Sequence, residues 1–379
     1  MIYLDNAATT FPKPAGVKKA ISDCIGNWCA NPGRSGHKYA MKSAEAVYEV
    51  RKKIGKFTGF EPDEVMFTHN CTSALNVGIR GVLEPGDHVV STVFEHNSVL
   101  RTLNALRVRG IETTLVGSDN RGVIDPASFR KAIKKNTKMI ICTLASNVTG
   151  NIMPVEEIQK EAASRNILFM LDGSQGLGSI LLDFEKFRPD IICCSGHKSM
   201  MGPQGTGFIC ARKEVRMKPL LQGGTGTQSE MLRHPEDRPE GFETGTLNVP
   251  GIVGLGAGVD YILERGVNDI RKLEADIIGC LQEELKNIEK IVMYGDENPE
   301  NRCGILSFNI EEMDSEKVAA EMDETFGIAT RAGFHCAPLA HASIGTKERG
   351  CVRISIGPFT TYEDILKTAA AIRKISAKR

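Results

Sequence analysis

Two apolar runs stand close together in the chain: ILFMLD, residues 167–172, and PDIICC, residues 189–194. Each has the length and composition of a strand that is buried on both faces. The first run ends in a carboxylate, Asp172. The second leads through the serine- and glycine-containing turn SGHK, residues 195–198, to a lysine, Lys198. The two runs therefore predict neighbouring strands that carry an acid and an amine at their carboxyl ends.

An acid and a lysine in these positions suit pyridoxal 5'-phosphate (PLP). Lys198 can form a Schiff base with the cofactor, and Asp172 can hold the pyridine nitrogen protonated, so that the ring acts as an electron sink. An isolated pair of this kind is more often an ordinary surface lysine beside a strand-end aspartate. The assignment therefore depends on the rest of the chain.

Short apolar strands alternate with amphipathic helices between about residues 18 and 265. Seven strands are predicted at 64–68, 88–92, 112–116, 138–144, 167–172, 191–195 and 207–211, with helices such as 126–134 and 155–165 between them. This alternation predicts an α/β fold with a mostly parallel seven-stranded sheet. Ligands of such sheets bind at the carboxyl ends of the strands, where Asp172 and Lys198 stand.

The pattern changes in the last third of the chain. Long helices are predicted at 251–265 and 267–288, strands at 305–309 and 352–356, and further helices at 315–326 and 362–376. A chain of 379 residues exceeds a single hydrophobic core. We therefore predict a large α/β domain over residues 16–250 and a smaller α+β domain formed by residues 1–15 and 251–379.

Composition excludes several classes of protein. The net charge is zero, 25% of the residues are charged and 41% are hydrophobic, and without a basic excess there is no sign of nucleic-acid binding. The chain contains no apolar run long enough to span a membrane and begins without a signal-peptide pattern, so a cytoplasmic protein is expected. Its 11 cysteines are odd in number and irregular in spacing, which predicts neither a metal site nor a disulfide scaffold.

Polar residues follow other predicted strands as well. Cys71 and Thr72 open a helix and are placed to bind a phosphate, His96 could stack on a cofactor ring, and Asn147 could donate to a ring oxygen. Taken singly, each has an ordinary alternative: a helix N-cap, a surface loop histidine and a turn asparagine. Together they form polar clusters at the ends of several predicted strands.

The order and wording of these clusters resemble the class V aminotransferase-like PLP enzymes, specifically the cysteine desulfurases and selenocysteine lyases. The resemblance covers nearly the whole chain. The motifs that carry it are YLDNAA (3–8), EH (95–96), SNVTG (146–150), DGSQ (172–175), SGHK (195–198) and GPQGTG (202–207). It implies the fold of type I PLP-dependent transferases.

The resemblance also implies roles for individual residues. Lys198 would bind PLP covalently, Asp172 would pair with the pyridine nitrogen, and His96 would stack on the ring. The other implied contacts are Gln175 with the ring hydroxyl, Thr72, Ser195 and His197 with the phosphate, and Thr246 with the phosphate of the partner subunit. A homodimer with sites at the interface follows, and Arg34 resembles an arginine that approaches the other subunit's site.

A second decisive segment is RAGFHCAP, residues 331–338. It resembles the Arg-x-Gly-x-His-Cys motif of group II (Suf-type) desulfurases, in which the cysteine attacks the substrate sulfur. Without that resemblance, Cys336 could equally be one more structural cysteine. Arg353, inside the apolar strand CVRIS, needs an anionic partner, and the resemblance makes that partner the substrate α-carboxylate.

These observations favour an L-cysteine desulfurase that converts L-cysteine to L-alanine and leaves a persulfide on Cys336, for transfer to a possible acceptor protein. The alternatives are a selenocysteine lyase acting on L-selenocysteine and another class V lyase or aminotransferase. A non-catalytic protein with a PLP fold is a further possibility. Intact Lys198, Asp172, His96 and Arg353 argue against the non-catalytic alternative.

Overall fold

The computed structural model describes residues 1–33 and 36–378, and Arg34 lies outside this part of the chain. The strands are β1 (Ile2–Tyr3), β2 (Val65–Thr68), β3 (His88–Thr92), β4 (Glu112–Val116), β5 (Thr137–Thr143), β6 (Leu168–Asp172), β7 (Ile191–Ser195), β8 (Gly207–Ala211), β9 (Ile291–Tyr294), β10 (Ile305–Ile310), β11 (Ile328–Ala329), β12 (Arg331–Gly333) and β13 (Cys351–Ser355). The helices are α1 (Ala15–Asn27), α2 (Lys38–Thr58), α3 (Cys71–Val82), α4 (Asn97–Leu106), α5 (Ala127–Ala132), α6 (Val155–Ala163), α7 (Val249–Arg265), α8 (Val267–Lys286), α9 (Ser315–Phe326), α10 (Pro338–Ser343) and α11 (Tyr362–Ser376).

The large sheet has seven strands in the order β2-β8-β7-β6-β5-β3-β4. Strands β7, β6, β5, β3 and β4 run parallel, and β8 is antiparallel to both of its neighbours. The mostly parallel seven-stranded α/β sheet predicted from the sequence is therefore confirmed.

Strand β6 shows why an uninterrupted apolar run forms the centre of this sheet. Successive side chains of a strand point to opposite faces. Phe169 and Leu171 join the core on one face, and Met170 joins the core on the other, all three fully buried. A strand covered on both faces by helices can be apolar at every position.

A second sheet, of four antiparallel strands in the order β12-β13-β10-β9, lies in the C-terminal part of the chain. Its core includes Leu306, Phe308 and Ile354, packed with residues of α8 and α11 such as Ile278 and Ile372. Strands β10 and β13 were predicted, whereas β9 and β12 were missed. The domain boundaries at residues 16 and 250 remain a prediction.

The N-terminal segment joins this second sheet to the carboxyl edge of the first. β1 pairs in parallel with β11, and the Ser355 amide donates to the Leu4 carbonyl. A few residues further on, Thr10 donates through its hydroxyl to the Lys198 carbonyl at 2.8 Å. Among the residues that the structure describes, no helix is long and apolar enough to cross a membrane.

Candidate active site

A cavity lies at the carboxyl ends of the parallel strands of the large sheet. It collects nine of the ten residues predicted to bind the cofactor: Cys71, Thr72, His96, Asn147, Asp172, Gln175, Ser195, His197 and Lys198. They come from five separate segments that the strand order brings to one edge. This is the place at which open α/β sheets bind ligands.

Asp172 lies at the base of the cavity, as the last residue of β6. Only 3% of the residue is exposed, and its Oδ1 accepts hydrogen bonds from the Ser174 amide at 2.9 Å and from the Cys71 thiol at 3.5 Å. Burial, followed by the charge of Asp172, raises the pKa of the Cys71 thiol well above its usual value. Cys71 is therefore a neutral donor to the carboxylate rather than a thiolate.

Lys198 faces the same space from the turn after β7. Burial lowers the pKa of its ammonium, although the charge of Asp172 acts in the opposite direction. A lowered pKa makes the free amine more available, and the free amine is the form that attacks a carbonyl. The proximity of an acid and a lysine predicted from the two strand ends is thus present in the fold.

His96 forms the N-cap of α4, and its Nδ1 accepts a hydrogen bond from the Ser98 amide at 3.1 Å. Burial, and next the charge of Lys198, lowers the pKa of its imidazole to about 4. The ring is therefore neutral at neutral pH, which suits a flat aromatic partner in a cavity.

Several polar atoms in and beside the cavity lack a protein partner. Ser195 Oγ and His197 Nδ1 are buried and make no hydrogen bond within the described residues. The 12-residue helix α3 begins at the same place and has no acidic side chain in its first turn. Unpaired donors beside a helix N-terminus form an anion site, so the residues present fit the phosphate of PLP.

The amides of Gln175 and Asn147 are already engaged within the protein. Gln175 Nε2 donates to the Ala7 carbonyl at 2.9 Å, and Asn147 Nδ2 donates to the His335 carbonyl at 2.6 Å. Each NH₂ group has a second hydrogen. Both amides also hold backbone carbonyls of other segments in place. The predicted contacts of Gln175 and Asn147 with the cofactor ring remain predictions.

Cys336 is exposed and lies in the loop between β12 and α10. Its carbonyl accepts from the Asn97 amide at 2.8 Å, and Asn147 holds the residue before it. Both His335 and Cys336 adopt left-handed backbone conformations, with φ of 47° and 59°. Two adjacent non-glycine residues in this region are unfavourable, and these hydrogen bonds help to hold the loop in that form.

Arg353 is 1% exposed in the middle of β13. It donates through Nη2 to Asp5 Oδ1 and through Nη1 to the Asn147 carbonyl, each at 2.9 Å, while Nε makes no hydrogen bond to any residue in the described ranges. The anionic partner that the sequence required is therefore Asp5 within the chain. Asp5 lies in the YLDNAA motif, and the sequence did not indicate this ion pair.

Glu95 is a second residue with a role that the sequence did not indicate. It is fully buried, and its Oε1 accepts from the Thr92 hydroxyl at 2.8 Å and from the Thr143 amide at 3.0 Å. Burial, and next the charge of Asp172, raises the pKa of this carboxyl to about 8. In the sequence, Glu95 appears only as part of the EH motif, directly before the candidate stacking histidine.

The cavity that holds Lys198 is not lined by Thr246, Cys336 or Arg353. Thr246 is exposed and lines a neighbouring cavity, which shares Thr72 with the cofactor cavity. Arg34 lies outside the described residues. Both had been assigned to the site of a partner subunit, and those assignments remain predictions.

Comparison with known proteins decides the family. The family model described as Aminotransferase class-V matches residues 2–367. The chain belongs to this family. It is 35% identical to a probable cysteine desulfurase of Methanothermobacter thermautotrophicus, over 99% of this chain and 94% of that protein. It is 33% identical to a probable cysteine desulfurase of Pyrococcus abyssi, over 96% of this chain and 92% of that protein.

The apo structure of a cysteine desulfurase from Thermococcus onnurineus NA1 has the same fold, with a TM-score of 0.93 and 30% sequence identity over 99% of this chain and 94% of that one. The resemblance to class V cysteine desulfurases noted from the motifs is therefore confirmed. Enzymes of this family depend on PLP, which confirms the predicted cofactor. The assignment to the Suf-type group remains a prediction.

Proposed function

We propose that the protein is a PLP-dependent L-cysteine desulfurase that converts L-cysteine to L-alanine and retains the sulfur as a persulfide on Cys336. The observation that carries the proposal is the attachment of the Cys336 loop to the cofactor cavity. Asn147, which lines the cavity with Lys198, binds the carbonyl before Cys336, and Asn97, next to His96, binds the Cys336 carbonyl. These two hydrogen bonds tie the loop with the exposed thiol to residues that line or adjoin the cavity of Lys198.

When bound, PLP supplies an electron sink that weakens the bonds to the substrate α-carbon. Asp172 would hold the ring nitrogen, neutral His96 would pack on the ring, and Ser195, His197 and Thr72 would bind the phosphate. The Lys198 amine, whose pKa burial lowers, removes the α-proton and later returns a proton.

Arg353 orients the substrate through its α-carboxylate. The Cys336 thiolate then attacks the substrate sulfur, and a new S–S bond forms as the C–S bond breaks. The electron pair of the broken bond remains with the carbon skeleton, which takes up protons and leaves as alanine. A thiol acceptor, on a partner protein or a small molecule, afterwards removes the sulfur from Cys336.

The substrate, the acceptor protein and the homodimer all belong to this proposal. The carbon–sulfur bond of L-cysteine is stronger than the carbon–selenium bond of L-selenocysteine, so an exposed, positioned thiol is needed to take up the sulfur. Because Cys336 supplies such a thiol, we favour L-cysteine as the substrate. The interpretation as a Suf-type enzyme rests on the sequence around Cys336 and on its short loop, which has four residues, 334–337, between β12 and α10.

The test is to measure alanine and sulfide from L-cysteine with and without a thiol reductant. With reductant, both products should accumulate over many turnovers. Without it, alanine should form but slow as Cys336 becomes loaded with sulfur. Lys198→Ala should give no turnover, whereas Lys52→Ala, at an exposed lysine on α2, should behave as wild type. Consumption of cysteine without alanine would contradict the proposal.

A further inference from the structure

Three residues with metal-binding side chains meet behind the Cys336 loop. His335 precedes Cys336, His341 lies on α10, and Cys351 begins β13. Their exposed fractions are 3%, 0% and 0%. One ring nitrogen of each histidine and the Cys351 Sγ all lie within 4.8 Å of one another, and no other such group of three occurs in residues 1–33 and 36–378. The residues are too far apart in sequence to form a recognisable motif.

The hydrogen bonds of the two imidazoles indicate which nitrogens carry protons. His335 Nε2 lies 3.1 Å from the Cys351 carbonyl, which can only accept, so Nε2 is the protonated nitrogen. His341 Nδ1 lies 2.7 Å from Thr346 Oγ1, and this hydroxyl also lies 3.5 Å from the His341 carbonyl, to which it can donate. In this network His341 Nδ1 is the donor.

The remaining nitrogens, His335 Nδ1 and His341 Nε2, are buried and have no hydrogen-bond partner among the residues described. Each then presents a lone pair. In protein metal sites, a ligating histidine commonly donates its other N–H to a carbonyl or another oxygen, as both do here. A buried polar atom without a partner costs free energy, and two in one cluster point to a missing ligand.

The surroundings of the cluster keep both imidazoles uncharged. Burial, and next the charge of Arg353, lowers the pKa of His335 to about 2, and burial lowers that of His341 to about 4. Both rings therefore stay neutral and able to bind a metal. Burial raises the pKa of the Cys351 thiol to about 11, and a bound cation would reverse this by stabilising the thiolate.

We propose that His335, His341 and Cys351 bind one divalent metal ion of the zinc type, with water as the fourth ligand. Two imidazoles and one thiolate form a donor set typical of zinc. Zinc–nitrogen and zinc–sulfur bonds place tetrahedral donors about 3.5 Å apart, so the cluster must contract by about 1 Å. Cys351 Sγ now lies 3.6 Å from the protonated Nε2 of His335, so the His335 ring must also turn to direct its free Nδ1 at the metal.

A metal in this position would connect β13, α10 and the Cys336 loop. It would hold His335, whose left-handed backbone is unfavourable, directly before the exposed Cys336. The site would therefore be structural and would position the loop without contacting the substrate. This inference does not depend on the reaction proposed above.

The test is the metal content of the purified protein, grown with zinc and dialysed against metal-free buffer. About one zinc per chain is expected in wild type. Cys351→Ala and His341→Ala should each lose it, whereas Cys336→Ser and Cys29→Ser, which alter the exposed cysteines, should retain it. Loss of zinc in Cys336→Ser with retention in Cys351→Ala would instead assign the metal to the exposed thiol and overturn the proposal.

A second measurement does not require the variants to fold. Cobalt(II) added to metal-free wild-type protein should give the intense visible bands of a tetrahedral ion and a near-ultraviolet thiolate-to-cobalt band, saturating at one equivalent. Binding should also raise the thermal midpoint, because the metal binds only the folded chain. Absence of these bands, together with zinc well below one equivalent in wild type, would rule the site out.

Discussion

The Arg353 guanidinium and the Asp5 carboxylate form an ion pair at 2.9 Å, in which the arginine side chain is almost fully buried and the aspartate is about one-fifth exposed. A buried arginine without a partner would be costly, so Asp5 stabilises the cation. Arg353 Nε remains without a hydrogen bond inside the described part of the chain. A substrate carboxylate must therefore bind the edge that Asp5 leaves free or displace Asp5.

The first prediction concerns this arginine. Arg353→Lys should raise KM for L-cysteine about 10- to 100-fold, because an ammonium cannot make the paired contacts of a guanidinium. The maximal rate should fall less. Steady-state kinetics of this variant should be compared with Arg188→Lys, at an exposed arginine. An unchanged KM would remove Arg353 from the substrate site.

The second prediction uses the buried Glu95 carboxyl. Its pKa is raised from 4.5 to about 8, so between these pH values the folded protein keeps a proton that the unfolded chain has lost. The contribution of Glu95 to the free energy of unfolding is therefore full at low pH and declines as pH rises through this window. Glu95→Gln, which does not titrate, should gain stability relative to wild type over the same window.

The measurement is the free energy of unfolding of both proteins from urea titrations at several pH values. The advantage of Glu95→Gln should grow by a few kcal/mol across the window and level off above it. Glu45→Gln, at an exposed position on α2, should show a small and nearly constant difference. An advantage that does not change with pH would mean that Glu95 is ionised in the folded protein.

The sequence was sufficient for the parts of the fold that depend on local patterns. The continuous apolar run of β6 and the run ending at Ser195 predicted buried parallel strands, because only such strands are apolar at every position. β9 escaped notice because all four of its residues are only partly buried, so its pattern is weak. β12 is three residues long and contains a glycine.

The site was predictable where residues directly follow strands, and less so where the fold joins distant segments. Asp172 and Lys198 were found from strand ends alone. The pairing of Asp5 with Arg353 spans almost the whole chain and depends on how the N-terminal segment docks on β13. The cluster of His335, His341 and Cys351 likewise exists only after α10 folds back against β13.

The third prediction concerns the proposed dimer. Consider a hybrid dimer of one Lys198→Ala subunit and one Thr246→Ala subunit. If Thr246 binds the phosphate in the partner's site, one of the two sites in this dimer keeps both Lys198 and Thr246 intact. Co-expressed, differently tagged hybrids should therefore exceed the mean activity of the two parent homodimers. Activity no higher than that mean would place Thr246 in the site of its own chain or outside any site.

The last prediction concerns Cys336. Cys336→Ser should lose desulfuration of L-cysteine almost entirely, because a serine hydroxyl is barely ionised at neutral pH and far less nucleophilic than a thiol. It should still bind L-cysteine, since Lys198, Asp172 and Arg353 are unchanged, and a shift in the visible absorbance of PLP on cysteine addition would show this. Cys29→Ser removes the other exposed thiol and should remain active.

Mass spectrometry identifies the sulfur itself. After cysteine is added to wild-type protein without reductant, the peptide containing Cys336 should carry one extra sulfur atom, and the Cys29 peptide should not. Selenocysteine then separates the two candidate substrates, because the carbon–selenium bond is weaker. Selenide release that survives in Cys336→Ser would favour a lyase that does not need the thiol for selenium. If desulfuration of L-cysteine also survives, the persulfide mechanism is wrong and Cys336 is a structural cysteine.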